Sequence, residues 1–286
     1  QKVPEVLREI IGKDQARPWV LKIGSVAVHQ FLPLEAQMEL YGYVSGLEGK
    51  VHKENLLGKE AANAEILREI EYLDDHIDSV MEQGEDTPFY NSYNIWKQGR
   101  AGQQSNTFNM QTSKVHRHFA KQDSFTSEVS LSDPDQVNDF MMAIAEAFDL
   151  STDKQMPEKS LEQIRELIQS PEITTAVEAI NKIGTDSLDE EQMQQDIVAA
   201  VRMVRPGEFG SIKEGAYALD GLVALAAMTA AQNAGVDTFE SDIFREIDGL
   251  TNGPAIGVLQ LNAGTDQDDV RNKLERTGML FGNQGS

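Results

Sequence analysis

The chain has 286 residues, 40% apolar and 25% charged, which is enough to bury a real core in one large domain or two smaller ones. Its 47 acids against 25 Lys and Arg leave a net charge of -22, so the surface as a whole repels polynucleotides and any contact with one must be confined to a local positive groove. There is no cysteine, which excludes disulfides and thiolate metal sites and suits a reducing compartment; no apolar run approaches the roughly twenty residues of a membrane span, so no membrane partner is expected.

From Val3 to Gly84 the apolar pattern is helical almost throughout. Pro18 suits a first helical turn and Pro33 interrupts the helix it opens, so Trp19 to Leu32 and Leu34 to Leu47 read as two helices joined at a bend. Lys59 to Glu82 is the clearest helix: Ile66, Ile70, Leu73, Ile77 and Met81 recur at three- and four-residue spacing, with acids on the opposite face. His76 on that helix reads as a surface or boundary residue, not a ligand.

Thr87 to Gln122 then breaks the period. At the chain's average frequency this window would hold about six acids; it holds none. It carries Lys97, Arg100, Lys114, Arg117, Lys121, His116 and His118 among Phe89, Tyr90, Tyr93, Trp96, Phe108 and Phe119. Cations among aromatics suit a phosphate backbone and stacked bases, and the same composition equally fits a solvated basic patch beside ordinary core aromatics. Phe89 to Trp96 and Ser105 to Met110 alternate like strands, with Gly99, Ala101 and Gly102 where the chain can turn, which puts Arg100 near their junction. His116 and His118 would point the same way on a strand, but with no carboxylate or third His close by they make a weak metal site.

Helices resume after Pro134: Val137 to Phe148, Glu158 to Ile168, Pro171 to Ile183, and one running to Val204 for which Ser187 and Glu190 have capping-box spacing. Lys213 to Ala234 is long and mainly apolar, its Ala-rich faces imply close burial, and Gly235 ends it. Immediately afterwards Ser241 to Ile247 has a strand-like rhythm that would deliver Asp248 at its tip. Gly249 and Gly253 allow a tight turn, and Pro254 can open a helix from Ala255 to Leu261. A strand-terminal carboxylate followed by an unshielded Gly carbonyl is a platform for a divalent cation. A plain Asp-Gly turn is the competing reading, and an EF-hand is excluded because Leu250 and Leu259 stand where ligands would be needed.

Taken together, WKQGR and FNMQTSK, followed well over a hundred residues later by a buried helix, a strand and IDGLTNGPA, resemble the palm of the bacteriophage single-subunit RNA polymerases, and within them the branch packaged in virions. The resemblance implies an α+β, predominantly helical chain with a small antiparallel palm-type sheet, a fragment of a right-hand polymerase. Its parts would be an N-terminal helical region (1–86), palm strands with the Gly-Arg motif (87–130), a helical subdomain (131–235), and a palm strand with the catalytic Asp and the helix after it (236–286). It implies Mg2+ as cofactor, held by Asp248 as the first catalytic carboxylate and by the Gly249 carbonyl. Gly99 and Arg100 would be the Gly-Arg pair, with Arg100, Lys97, Lys114 and Arg117 on template or nucleotide.

Partners would be a DNA template, the RNA product, nucleoside triphosphates and the remaining polymerase core; the location, the virion and then the bacterial host cytoplasm. Trp96 stands where the branch usually has Thr, and neither the nucleotide-gripping Arg/Lys/Tyr helix nor the late second Asp motif is found. The chain is therefore expected to be a processed or excised piece, inactive alone. The alternatives are a non-enzymatic acidic helical phage structural or interaction protein and, more remotely, an acidic metal-dependent hydrolase built round Asp248.

Overall fold

Helix α1 (Glu5–Gln15) is followed by the first departure from the predicted pattern. Where Trp19 to Leu32 reads as one helix, Trp19–Leu21 is a strand, β1, and helix α2 (Ile23–Phe31) begins only after it. Tertiary pairing overrides the local signal: Trp19 and Phe89 exchange backbone hydrogen bonds of 2.8 Å, and Lys22 N–H donates to the Phe119 carbonyl at 2.9 Å. The computed structural model describes residues 5–46, 53–95, 101–150, 157–185 and 189–244. These belong to one unit, Gln1–Phe244; Arg245–Ser286 form a second unit, outside the described residues.

Pro33 ends α2 as predicted and opens α3 (Leu34–Leu40). Helix α4 (Lys53–Met81) buries Ile70, Leu73 and Ile77 as its period requires, but Val80 at 4% exposure closes the stripe in place of Met81 at 37%. Strands β2 (Tyr93–Ile95) and β3 (Ala101–Gln103) pair antiparallel, so Ala101 and Gly102 lie in a ladder instead of the predicted turn. Ser105 to Met110 is not a strand. Amide side chains satisfy its backbone: Gln103 Oε1 accepts from Met110 N–H, and Asn109 Oδ1 accepts from Gln111 and Thr112 N–H.

Strand β4 (Ala120–Gln122) pairs with β1, and β5 (Ser127–Ser130) precedes α5 (Pro134–Ala147), which Asp133 caps through Asp135 and Gln136 N–H. The predicted helices follow as α6 (Pro157–Leu167), α7 (Pro171–Lys182) and α8 (Glu190–Val204). The cap of α8 is Asp189, whose side chain accepts from Gln192 N–H; Ser187 lies outside the described residues. Helix α9 (Gly215–Ala234) is the central element, packed on α2, α5, α7 and α8 and ended by Gly235 at φ 67°. Leu219, Leu222 and Leu225 are each 2% exposed or less, worth roughly 2 kcal/mol apiece in buried apolar surface. Gly215 is required where α9 meets α3, because a Cβ there would sit 1.9 Å from the Leu40 carbonyl oxygen.

Strand β6 (Thr238–Ser241) pairs with β5. The predicted strand from Ser241 to Ile247 therefore starts where the real one stops: Asp242 to Phe244 have no ladder partner, and 245–247 lie outside the described residues. The fold is mostly helical with small antiparallel ladders, as expected for α+β, but the strands form three separate pairs among the described residues, not one sheet.

Candidate functional site

The predicted contacts divide by where they fall. Lys97, Arg100, Asp248 and Gly249 lie outside the described residues. Lys114 sits on the loop that leads into a single 3-10 turn, His116–His118, and Arg117 lies within that turn; neither is surrounded by free positive surface. Lys114, 68% exposed, donates to Glu214 at 2.6 Å, and Arg117 donates to the Ser113 and Gln111 carbonyls. Lys121 meets Asp242 at 2.6 Å. The window is acid-free in sequence but not in space, because α9 and the segment after β6 return carboxylates to it. Its aromatics divide similarly: Phe108 and Phe119 are core at 4% and 0% exposure, Phe89 packs against the core, and Tyr90 is 61% exposed.

His116 and His118 lie on a 3-10 turn, where a spacing of two does not aim them the same way, and they go to different partners. His116 enters an aromatic stack, with Phe108 between it and His76 at centroid distances of 4.9 and 3.9 Å, and with Phe89 edge-on to His76. His116 Nδ1 accepts from Asn109 N–H at 3.0 Å and Nε2–H donates to the Glu69 carbonyl at 2.8 Å, a pairing that only the neutral ring can make. Burial lowers the pKa of both histidines; burial and the nearby His116 take His76 to about 4. His76 is thus a half-buried boundary residue on α4.

His118 lies in a charged cluster. Its Nδ1 is 3.8 Å from Asp220, which also accepts from Lys22 Nζ at 2.6 Å and Ser25 Oγ at 3.2 Å. Lys22 and Asp220 are 2% and 3% exposed. Burial alone would push the Asp220 carboxyl up; the Lys22 ammonium, then His118, hold it below the usual carboxylate range. The His118, Tyr217 and Phe244 rings stack in a near-parallel triangle, with centroids 4.7, 5.4 and 6.2 Å apart, Lys22 Nζ lies 4.8 Å from the Phe244 centroid, and Tyr217 O–H donates to the Phe244 carbonyl. Sequence reasoning did not find this cluster, although one signal was present: Asp220 is the only charged side chain in the twenty residues of α9. A lone acid in an apolar helix needs a buried partner.

A second network adjoins it. Arg205, 4% exposed, donates to the Glu146 and Ala147 carbonyls at the end of α5 and to Glu214, and its guanidinium lies 5.4 Å over Tyr217. Glu214 holds the left-handed conformation, φ 53°, strained for a residue with a Cβ. Burial raises its carboxyl, but Lys114, Arg205 and Lys213 more than offset this and hold it below its ordinary range. His118 and Lys121 of the window thus touch Phe244 and Asp242, just after β6.

Among the described residues no three His, Asp or Glu side chains are grouped to hold a metal ion, and no helix is long and apolar enough to cross a membrane. The described residues form a mostly helical α+β fold in which the acid-free window touches residues 242 and 244 just after β6. Residues 6–120 match the family model described as virion DNA-directed RNA polymerase domain, which supports a relationship to virion RNA polymerases and takes in the window as far as Ala120. No curated protein matches the chain.

Proposed function

We propose that this chain is the part of a virion-packaged, DNA-directed RNA polymerase that supplies the first metal-binding carboxylate and part of the template and nucleotide contacts. The single observation that carries the reading is the contact of the window with the residues just after β6, Lys121 on Asp242 at 2.6 Å and His118 stacked on Phe244, within a chain whose residues 6–120 match the virion polymerase family model. Phe244 precedes Asp248 by only four residues.

In this reading Asp248 and the Gly249 carbonyl would hold Mg2+, which would supply activation of the attacking 3′-oxygen and charge stabilisation of the leaving pyrophosphate. The chain's own residues do the rest. Arg100 and Lys97 neutralise template or triphosphate charge, and Lys114 and Arg117 extend that field along the loop. The Lys114–Glu214 pair is exposed and so only weakly favourable, which leaves a phosphate free to compete for the ammonium. The second carboxylate and the nucleotide-gripping helix come from the remaining polymerase core, with DNA, RNA and nucleoside triphosphates as partners. Virion packaging agrees with the family's description, with action in the host cytoplasm after delivery.

The test is RNA synthesis on a single-stranded DNA template by this chain supplied with the remaining core. Asp248→Asn should lower kcat by on the order of a thousandfold or more, since a carboxylate that holds the reacting metal has no substitute. Synthesis at the wild-type rate would contradict the reading and favour the structural or interaction protein.

A further inference from the structure

We infer that the solvent face of α4 is a docking surface for a protein helix that carries an apolar anchor at one end and lysines or arginines beyond it. Helix α4 bears two stripes at three- and four-residue spacing. One, through Ile70, Leu73 and Ile77, is core at 2% exposure or less. The other runs for about 38 Å along the outside of the helix. It is exposed at every position: Leu57, Glu60, Ala64 and Leu67 in its first half, then Glu71, Asp75, Asp78 and, just past the end of the helix, Glu82. The first half borders a groove of about 600 Å3 between α4 and residues 43–46, lined by Tyr43, Val44, Leu56, Ala64 and Leu67 among others. The floor of the groove is fixed in advance, because the buried Asn63 side chain accepts from Val44 N–H at 3.0 Å and donates to the Val44 carbonyl at 2.9 Å. Leu67 in its wall is 40% exposed, and Leu57 on the same stripe is 77% exposed.

The second half of the stripe is acid alone. The nearest cations on α4 are committed elsewhere, Lys59 to Glu208 at 3.5 Å and Arg68 to Glu65, and among the described residues no ion pair reaches Glu71, Asp75, Asp78 or Glu82. Both halves weaken the chain by itself. Like charges three and four residues apart destabilise a helix, and exposed leucines forgo the gain of burial. A face that served only as solvated surface would mix its signs, as the Arg68–Glu65 pair does. A partner helix with an apolar side chain for the groove and cations at the matching spacing removes both penalties at once, which is the helix-in-groove mode of recognition with charge complementarity added. The same acids repel a polynucleotide, so the occupant is protein.

The test is binding of the whole chain to a synthetic helical peptide of about 25 residues, the length of the stripe, with leucines on one face of its first two turns and lysines on the same face of the rest. A peptide of the same composition in scrambled order is the control. The patterned peptide should bind at least about tenfold more tightly than the scrambled one. Leu67→Asp, a change at an exposed position, should weaken its binding about tenfold or more. Asp75→Lys combined with Asp78→Lys should do the same at low salt, by a ratio that falls as salt rises. In the free chain that double change should hold the melting temperature or raise it by about 1–2 °C, because repulsion with Glu71 and Glu82 becomes attraction. Equal affinity for the two peptides, or wild-type affinity in both variants, would overturn the inference. A fall in melting temperature of the charge-reversed chain would overturn it by assigning these acids to the fold, and self-association abolished by Leu67→Asp would do so by giving the face to a second copy.

Discussion

His116 and His118 stand two residues apart on one turn, and the clusters that receive them are built on opposite principles. The His76–Phe108–His116 stack is neutral: burial keeps its imidazoles uncharged, and the hydrogen bonds of His116 require it. The Lys22–Asp220–His118 cluster is ionic, and burial is tolerable there only because a carboxylate and an ammonium meet at 2.6 Å. The loop from Ser113 to Phe119 is thus locked on one side by the absence of charge and on the other by its close pairing. The difference teaches that histidine type and spacing alone do not define a site; the partner that tertiary structure brings to each ring does.

Removing one member of the ionic cluster should have the largest effect. Asp220→Ala leaves the Lys22 ammonium buried without a counter-charge and should cost about 3–5 kcal/mol in a denaturant titration near pH 7. Replacing both partners with apolar side chains, Lys22→Met with Asp220→Leu, should cost much less. If the single change costs under about 1 kcal/mol, the ion pair is not what holds this side of the loop.

The neutral cluster should break with acid instead. Its imidazoles have depressed pKa values in the fold, so the unfolded chain binds protons first as pH falls below 6.5, and stability declines from there toward about 4, where His76 protonates in the fold. His76→Phe should remove part of that decline, roughly 1–2 kcal/mol once partial exposure is allowed for. Comparing variant and wild type across pH cancels the titration of the many surface acids. Parallel stability curves for the two proteins would show that His76 is not buried neutral.

The smallest effect belongs to the tether at the edge of the comparison. Lys121 and Asp242 are 16% and 32% exposed, so Lys121→Met should cost no more than about 1 kcal/mol and should cost less as salt rises. A loss of several kcal/mol would mean that this pair, and not the Lys22–Asp220 cluster, joins the window to the segment after β6.

The helical half was legible in the sequence because its signals are local. The periods of α5, α7 and α9, the Pro residues that open α5 and α7, and Gly235 at the end of α9 all stand within a few residues of the features they determine. The strands were not, because their hydrogen-bond partners are distant: Trp19 pairs with Phe89 and Gln122, and Ser127 with Ser241. Charge misled for the same reason, since the acids that meet Lys114 and Lys121 enter from residues 214 and 242. Phe108 and Phe119 read equally well as base-stacking or core residues, and depth, which no window of sequence reports, decided for the core. Of the candidate site, the Lys22–Asp220–His118 cluster could not be read, beyond the hint of one acid in an apolar helix.

The proposed contact of Arg100 with a polynucleotide has to act against a net charge of -22. Single-stranded DNA binding by this chain, titrated from low to moderate salt for wild type and Arg100→Ala, tests it most directly. The expected result is weaker binding by the variant, a difference that shrinks as salt rises, and a salt dependence whose slope falls by about one. Equal affinities for the two proteins across the whole salt series would contradict it.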